Sequence, residues 1–436
     1  MLLSLLSLVS AAPADAEGAW AFEKWAESAR MRPVERRVDP PRGGADLLNG
    51  YQYGDLFILQ DDDGEWFTSA IQSVGSGNFD YVTNSFINAF YRDNPDNYDY
   101  LTVVMLKDLS LFFAFYQPVA NDVLGIGYDS ITPGEVFDQD SSNKMQGFIF
   151  MNYEGLWTGN PESGRYVFGQ EFMHRWGSFV NADVDGLPDD FLLGRDTAHW
   201  SYWFNTTNSP MEGNTWVDNE DGTWTTDRRA GSTYSDLDLY LMGLLDAESV
   251  GTQTFLSVSE EEQARVGLEP ASSPEYFNCT MGACADVTVT ATPVNFGLDA
   301  IVSAEGARVP SAADSPKSFR MAIIVLALQG DYVDGSLERV DGLRQTWERD
   351  WEEDVRGAAD LITTLDQSTA ATWGEPTDSG PVDSAVDSSA DDSGNGVKDT
   401  GKEVAGPDCG CNAAPGGLLG LGLGLGLLAA QRRRRA

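Results

Sequence analysis

The chain has 436 residues, of which 42% are hydrophobic and 11% aromatic. This is enough apolar material for one large packed domain or two ordinary ones, so most of the chain is expected to be globular. The formal net charge of −40 argues against nucleic acid and anionic membrane surfaces as partners, because both are bound by basic patches.

The first residues predict secretion. A leucine-rich run over residues 1–9 is followed by Ala14-Asp15-Ala16, which indicates a signal peptide over residues 1–16 that is cleaved after Ala16. No lysine or arginine precedes the run, so either the signal is atypical or the true start lies further upstream. Residues 17–45 contain several prolines and a Gly-Gly pair, and we interpret them as a leader or linker.

Residues 46–367 are predicted to form the globular domain. Short apolar runs bounded by turn residues predict strands, and apolar residues at helical spacing predict helices. The predicted strands are 55–59, 101–107 and 147–152, and the predicted helices are 81–91, 166–180, 237–245 and 336–365. Residues 321–328 form a further apolar segment. This order predicts an α+β fold in which helices pack on a mixed sheet.

The predicted helix 166–180 contains the most informative motif, Gly-Gln-Glu-Phe-Met-His-Arg-Trp-Gly. Zinc peptidases carry His-Glu-x-x-His, where two imidazoles on one helix face hold the ion and the glutamate deprotonates its water. Here Gln170 replaces the first histidine, and its neutral amide oxygen is a poorer zinc donor. The chain is therefore an impaired metallopeptidase or a peptidase fold with another use, unless Glu171 and His174 are simply paired with neighbours.

Other ligands are limited by composition. The chain has only two histidines, His174 and His199, so only these could supply nitrogen ligands. A further ligand would be a carboxylate, and Asp238 is the candidate, in the first turn of a helix that Asp236 would cap. The alternatives are a His199 that is solvent-exposed or is a hydrogen-bonded core residue, and an Asp238 that serves as a favourable charge at a helix N-terminus.

Three further segments accompany the motif helix: Leu-Leu-Gly-Arg-Asp-x-Ala-His-Trp-Ser, Met-Glu-Gly-Asn-x-Trp and Tyr-Ser-Asp-Leu-Asp-Leu-Tyr-Leu-Met-Gly-Leu. Together they resemble a group of secreted zinc metallopeptidases with a His-Glu-x-x-His-Arg-Trp helix, over roughly residues 46–250. The resemblance implies a zincin-like fold, a protein or peptide substrate and a zinc site. It makes Glu171 the general base, His174 a zinc ligand, and His199 and Asp238 candidate metal-site residues.

An acidic segment offers a second cation site. Residues 181–186, Asn-Ala-Asp-Val-Asp-Gly, imitate the first half of an EF-hand loop, but Leu192 replaces the closing glutamate. The pattern predicts at most a weak calcium site, with these ligands: Asn181, Asp183, Asp185 and Asp189.

The four cysteines form two close pairs. Cys279 and Cys284 enclose a short loop that suits a disulfide in an oxidising compartment, and the alternative is two free buried thiols. Cys409 and Cys411 belong to the C-terminal segment.

The C-terminal part predicts surface anchoring. Residues 368–408 are rich in Asp, Ser and Gly, which predicts a disordered stalk. Residues 409–436 place Cys409 and Cys411 before a Leu/Gly run and a terminal arginine cluster. They resemble the MYXO-CTERM sorting tail of myxobacterial surface proteins, which implies processing near the cysteines, contact with a membrane through this segment and display on the outer envelope of a Gram-negative cell.

These observations predict a cell-surface protein similar to zinc metallopeptidases, impaired or inactive because of Gln170. The alternative is a non-catalytic binding or structural protein that retains the fold.

Overall fold

The computed structural model describes residues 32–33, 43–75, 80–108, 114–131, 144–328, 330–331 and 335–366. The predicted signal peptide, the stalk, and the tail with Cys409 and Cys411 lie outside these ranges. Within the described ranges, no helix is both long and apolar enough to cross a membrane.

The helices and strands are numbered in chain order. The helices are α1 (Glu65–Gly75), α2 (Asp80–Asp93), α3 (Glu154–Thr158), α4 (Pro161–Met173), α5 (Asp236–Met242), α6 (Glu260–Val266), α7 (Glu275–Thr280), α8 (Leu298–Glu305) and α9 (Ser336–Asp354). The strands are β1 (Arg32–Pro33), β2 (Asn49–Tyr53), β3 (Leu56–Asp61), β4 (Tyr100–Met105), β5 (Phe115–Pro118), β6 (Gly147–Tyr153), β7 (Trp200–Asn205), β8 (Glu212–Asn214), β9 (Trp216–Asp218), β10 (Thr223–Thr226), β11 (Gln253–Ser257), β12 (Thr288–Thr290), β13 (Thr292–Phe296), β14 (Ser318–Leu328) and β15 (Asp360–Ile362).

The main sheet has the strand order β1-β2-β3-β14-β4-β6-β5, and β15 pairs with β14. Its central strands β3, β14, β4 and β6 run parallel, whereas β2 and β5 pair antiparallel with their neighbours. Helices packed on this mixed sheet confirm the predicted α+β class.

Both faces of the main sheet are covered, which explains the continuous apolar runs of its central strands. In β3, Phe57 and Leu59 join a core with residues of α1 and α2. Leu56 and Ile58 point the other way and join a second core with residues of α4 and α9. The motif helix α4 is therefore held against the sheet from one side.

The predicted helix 336–365 was too long. Helix α9 ends at Asp354, and the chain then forms the short strand β15. Arg356 and Gly357 have left-handed φ values of 58° and 69°, which end the helix.

A smaller part of the fold lies after the motif helix and carries the remaining site residues. One sheet has the order β13-β11-β7-β8, and a second has the order β12-β10-β9. His199 directly precedes β7, and Glu212 is the first residue of β8.

Candidate metal centre

The motif helix α4 begins earlier and ends earlier than predicted. Pro161 occupies its first position, and the Asn160 side chain caps it by accepting a hydrogen bond from the Ser163 amide. The helix ends at Met173, where the Trp176 amide donates to the Met173 carbonyl three residues back and so forms a tighter 3-10 turn. His174 is thus the C-cap residue, and the predicted extension to residue 180 is wrong.

Helix α4 is buried on nearly all sides. Phe168 stacks on Trp347 with 4.9 Å between ring centroids, and Phe172 contacts Trp351. The polar motif residues are buried as well, since His174 is only 3% exposed.

The two histidines meet. The rings of His174 and His199 lie 4.9 Å apart between centroids. His199 Nδ1 lies 2.9 Å from the Arg195 carbonyl oxygen, and we assign it the proton because a carbonyl can only accept. His199 Nε2 is then an acceptor, and Arg195 Nη2 lies 3.1 Å from it. His174 Nδ1 has no hydrogen bond to any described residue.

Glu212 is the carboxylate of this cluster, and our sequence analysis did not select it. Its Oε1 accepts from Gln170 Nε2 at 3.3 Å and from Arg195 Nη2 at 2.5 Å. Its Oε2 has no hydrogen-bond partner in the described part of the chain. Glu212 also has a φ of 77°, which is uncommon for a residue with a side chain. The segment Met-Glu-Gly-Asn was the only sequence signal for it.

Arg195 is the cation of the cluster. It belongs to a short 3-10 turn, Arg195–Thr197, directly before His199. Its side chain is 28% exposed, against 4% for Glu212 and 1% for His199. Of these three side chains, Arg195 therefore lies nearest to solvent.

Burial is the largest influence on the pKa values of Glu171 and His174. It raises the pKa of Glu171 to about 8, although Arg195 and the Tyr116 backbone oppose this shift. It also lowers the pKa of His174 well below its usual value, with the neighbouring His199 and Arg195 adding to the effect and the Gly177 backbone opposing it. Near neutral pH, Glu171 is thus largely a neutral acid and His174 a neutral imidazole.

Asp238 stabilises a helix and does not join the histidines. Ser235, rather than Asp236, is the N-cap of α5, and Asp238 completes a capping box. Asp238 Oδ2 accepts from the Ser235 amide at 2.7 Å, and Oδ1 accepts from Trp200 Nε1 at 2.8 Å. Its hydrogen bonds go to these groups and not to either imidazole.

As arranged, the predicted residues do not fit a bound metal ion. Among the described residues, no group of three or more His, Cys, Asp or Glu side chains is placed to hold one. Gln170 donates its amide N–H to Glu212, and the Arg195 guanidinium donates a hydrogen bond to His199 Nε2. In the predicted calcium loop, Asp183 accepts a hydrogen bond from Ser303.

The structure joins Cys279 and Cys284 in a disulfide with 4.3 Å between their Cα atoms. Thr280, inside this loop, accepts hydrogen bonds from Asn160 at 2.5 Å and from Ser163 at 3.0 Å. The disulfide loop therefore braces the N-terminus of the motif helix.

No protein-family model, curated protein or solved structure matches this chain.

Proposed function

We propose that this chain is a metallopeptidase-like protein of the cell surface that is inactive as a peptidase and serves there as a binding or structural protein. One observation carries the proposal: the Arg195 guanidinium bonds both His199 Nε2 and Glu212 Oε1. These are atoms that a zinc ion would need, and a guanidinium keeps its charge at all ordinary pH values.

The chemistry of two other residues supports inactivity. Gln170 presents a donor to Glu212 where a peptidase has an imidazole lone pair. Glu171, with a pKa of about 8, holds its proton near neutral pH and is a poor general base there. A residual hydrolase is the second candidate, since Glu171 and His174 keep their motif spacing.

The surface location rests on the sequence. The signal peptide, the stalk and the tail with Cys409 and Cys411 together favour export followed by anchoring. The net charge of −40 agrees with a solvated domain held away from anionic lipid.

The test compares the wild-type chain with Glu171→Gln. Zinc per chain is measured after purification in zinc-containing buffer, and hydrolysis of an unfolded protein such as casein is followed with and without a chelator. We expect zinc well below one ion per chain and equal background hydrolysis for both proteins. One zinc per wild-type chain, with chelator-sensitive hydrolysis that Glu171→Gln abolishes, would show a working peptidase and overturn the proposal.

A further inference from the structure

Met281 differs from the other methionines of the described ranges in its exposure. Its side chain is 50% exposed, whereas theirs are at most 1% exposed. These buried methionines are Met105, Met145, Met151, Met173, Met211, Met242 and Met321. An oxidant dissolved in water reaches a thioether only where the side chain is accessible. Among the described residues, oxidation of methionine in the folded protein should therefore begin at Met281.

The Met281 side chain also contacts the start of the motif helix. It lies in the loop that Cys279 and Cys284 close, and its Sδ accepts a hydrogen bond from Ser163 Oγ at 3.3 Å. Ser163 is in the first turn of α4 and is only 1% exposed. Its hydroxyl has a single proton, which Sδ shares with Thr280 Oγ1 at 3.0 Å. A change at the sulfur of Met281 is thus transmitted to a buried residue of α4.

We propose that Met281 is a site of reversible oxidation to methionine sulfoxide, and that its oxidation releases the contact with Ser163. Hydrogen peroxide transfers one oxygen atom to the thioether sulfur and leaves as water, so the sulfur is oxidised and the peroxide is reduced. The inference goes beyond the proposed function and does not depend on it, because it concerns the N-terminal end of α4 and not the cluster at its C-terminal end.

Oxidation weakens the contact whichever side of the sulfur receives the oxygen. On the side that faces Ser163, the 3.3 Å between Sδ and Oγ is too short to hold a further oxygen atom between them. On the opposite side, the added oxygen draws electrons from the sulfur and makes it a poorer acceptor. The sulfoxide is also more polar than the thioether and favours water over the half-buried position beside α4. The disulfide loop should therefore loosen against the first turn of α4.

The test oxidises the full chain with hydrogen peroxide and follows each methionine by peptide mass spectrometry. In the folded protein, we expect Met281 to oxidise at least roughly tenfold faster than the buried methionines. In urea this difference should disappear, because unfolding exposes all of them. Amides in the first turn of α4 should exchange faster in the oxidised protein. Methionine sulfoxide reductases that act on both epimers should restore the original exchange.

Two variants serve as matched controls. Met281→Leu keeps an apolar side chain of similar size but cannot form a sulfoxide, so peroxide should leave exchange at the start of α4 unchanged. Met281→Leu combined with Leu124→Met places an exposed methionine elsewhere, because Leu124 is 52% exposed and its bridge partner is Val309 rather than a residue of the disulfide loop. This new methionine should oxidise about as readily as Met281 without affecting α4.

The inference is overturned if the buried methionines of the folded chain oxidise as fast as Met281. It is also overturned if oxidation of Met281 leaves amide exchange at the start of α4 unchanged, or if Met281→Leu responds to peroxide as the wild type does. The zinc content and hydrolysis of the wild type, which test the proposed function, have no part in these outcomes.

Discussion

The imidazole rings of His174 and His199 meet edge to face, with an angle of 85° between their planes. They are the only histidines of the chain, and the end of α4 and the turn before β7 bring them together. Both are buried, so their contact belongs to the interior of the domain.

Glu171 should give stability a distinct pH dependence. Its folded pKa of about 8 lies above the ordinary value of 4.5, so between these pH values the folded chain holds a proton that the unfolded chain has released. Raising the pH through this window therefore favours unfolding, by up to roughly 1.4 kcal/mol per pH unit, and the effect levels off above the folded pKa.

Urea unfolding of the wild type and of Glu171→Gln from pH 5 to pH 9 measures this effect. The wild type should lose stability relative to the variant as the pH rises. Glu162→Gln, at an exposed position on the same helix, is the matched control. Parallel curves for the wild type and Glu171→Gln would mean that Glu171 is ionised in the folded protein.

Asp238 and Asp236 should differ in their contribution to stability, although both lie in the first turn of α5. Asp238→Ala removes the acceptor of the buried Trp200 indole and of Ser235, which should cost roughly 2–4 kcal/mol. Asp236→Ala breaks only an exposed pair with Arg356 and should cost less than about 1 kcal/mol. Chemical denaturation compares the two, and similar losses would contradict this assignment.

The disulfide should stabilise the start of the motif helix. Replacing both Cys279 and Cys284 by alanine frees a short loop and should cost about 2 kcal/mol. Because Thr280 contacts Asn160 and Ser163, amide exchange should rise most in the first turn of α4. Hydrogen exchange followed by mass spectrometry measures this, and unchanged protection of that turn would remove the bracing role.

The C-terminal segment should control localisation. Deleting residues 418–436 removes the Leu/Gly run and the arginine cluster, so the globular domain should pass into the medium. Cell fractionation with an antibody against the domain measures the distribution. A deletion of equal length within the stalk is the control and should leave the protein with the cells. Identical fractionation of both deletions would contradict an anchor.

Much of the fold could be read from local patterns. The strands β3, β4 and β6 were predicted because they are short apolar runs bounded by turn residues. The strand β14 was recognised only as an apolar segment, because an apolar run alone does not distinguish a buried strand from a buried helix. The close spacing of Cys279 and Cys284 predicted their bridge. Helix ends were less predictable: the stop at Met173 depends on backbone hydrogen bonds made after the helix, and no periodicity encodes them.

The sequence by itself predicted that Gln170 and His174 lie on one face of the motif helix, because residues four apart in a helix are neighbours. In the structure His174 is the C-cap of that helix. Only the tertiary structure decided what that helix meets. Glu212 follows Gln170 by 42 positions, and Arg195 precedes Glu212 by 17. Whether Glu212 or Asp238 is the carboxylate next to Gln170 and Arg195 depends on how β8 and α5 pack. Spacing along a chain identifies neighbours within an element, but contacts between elements arise only when the core closes around them.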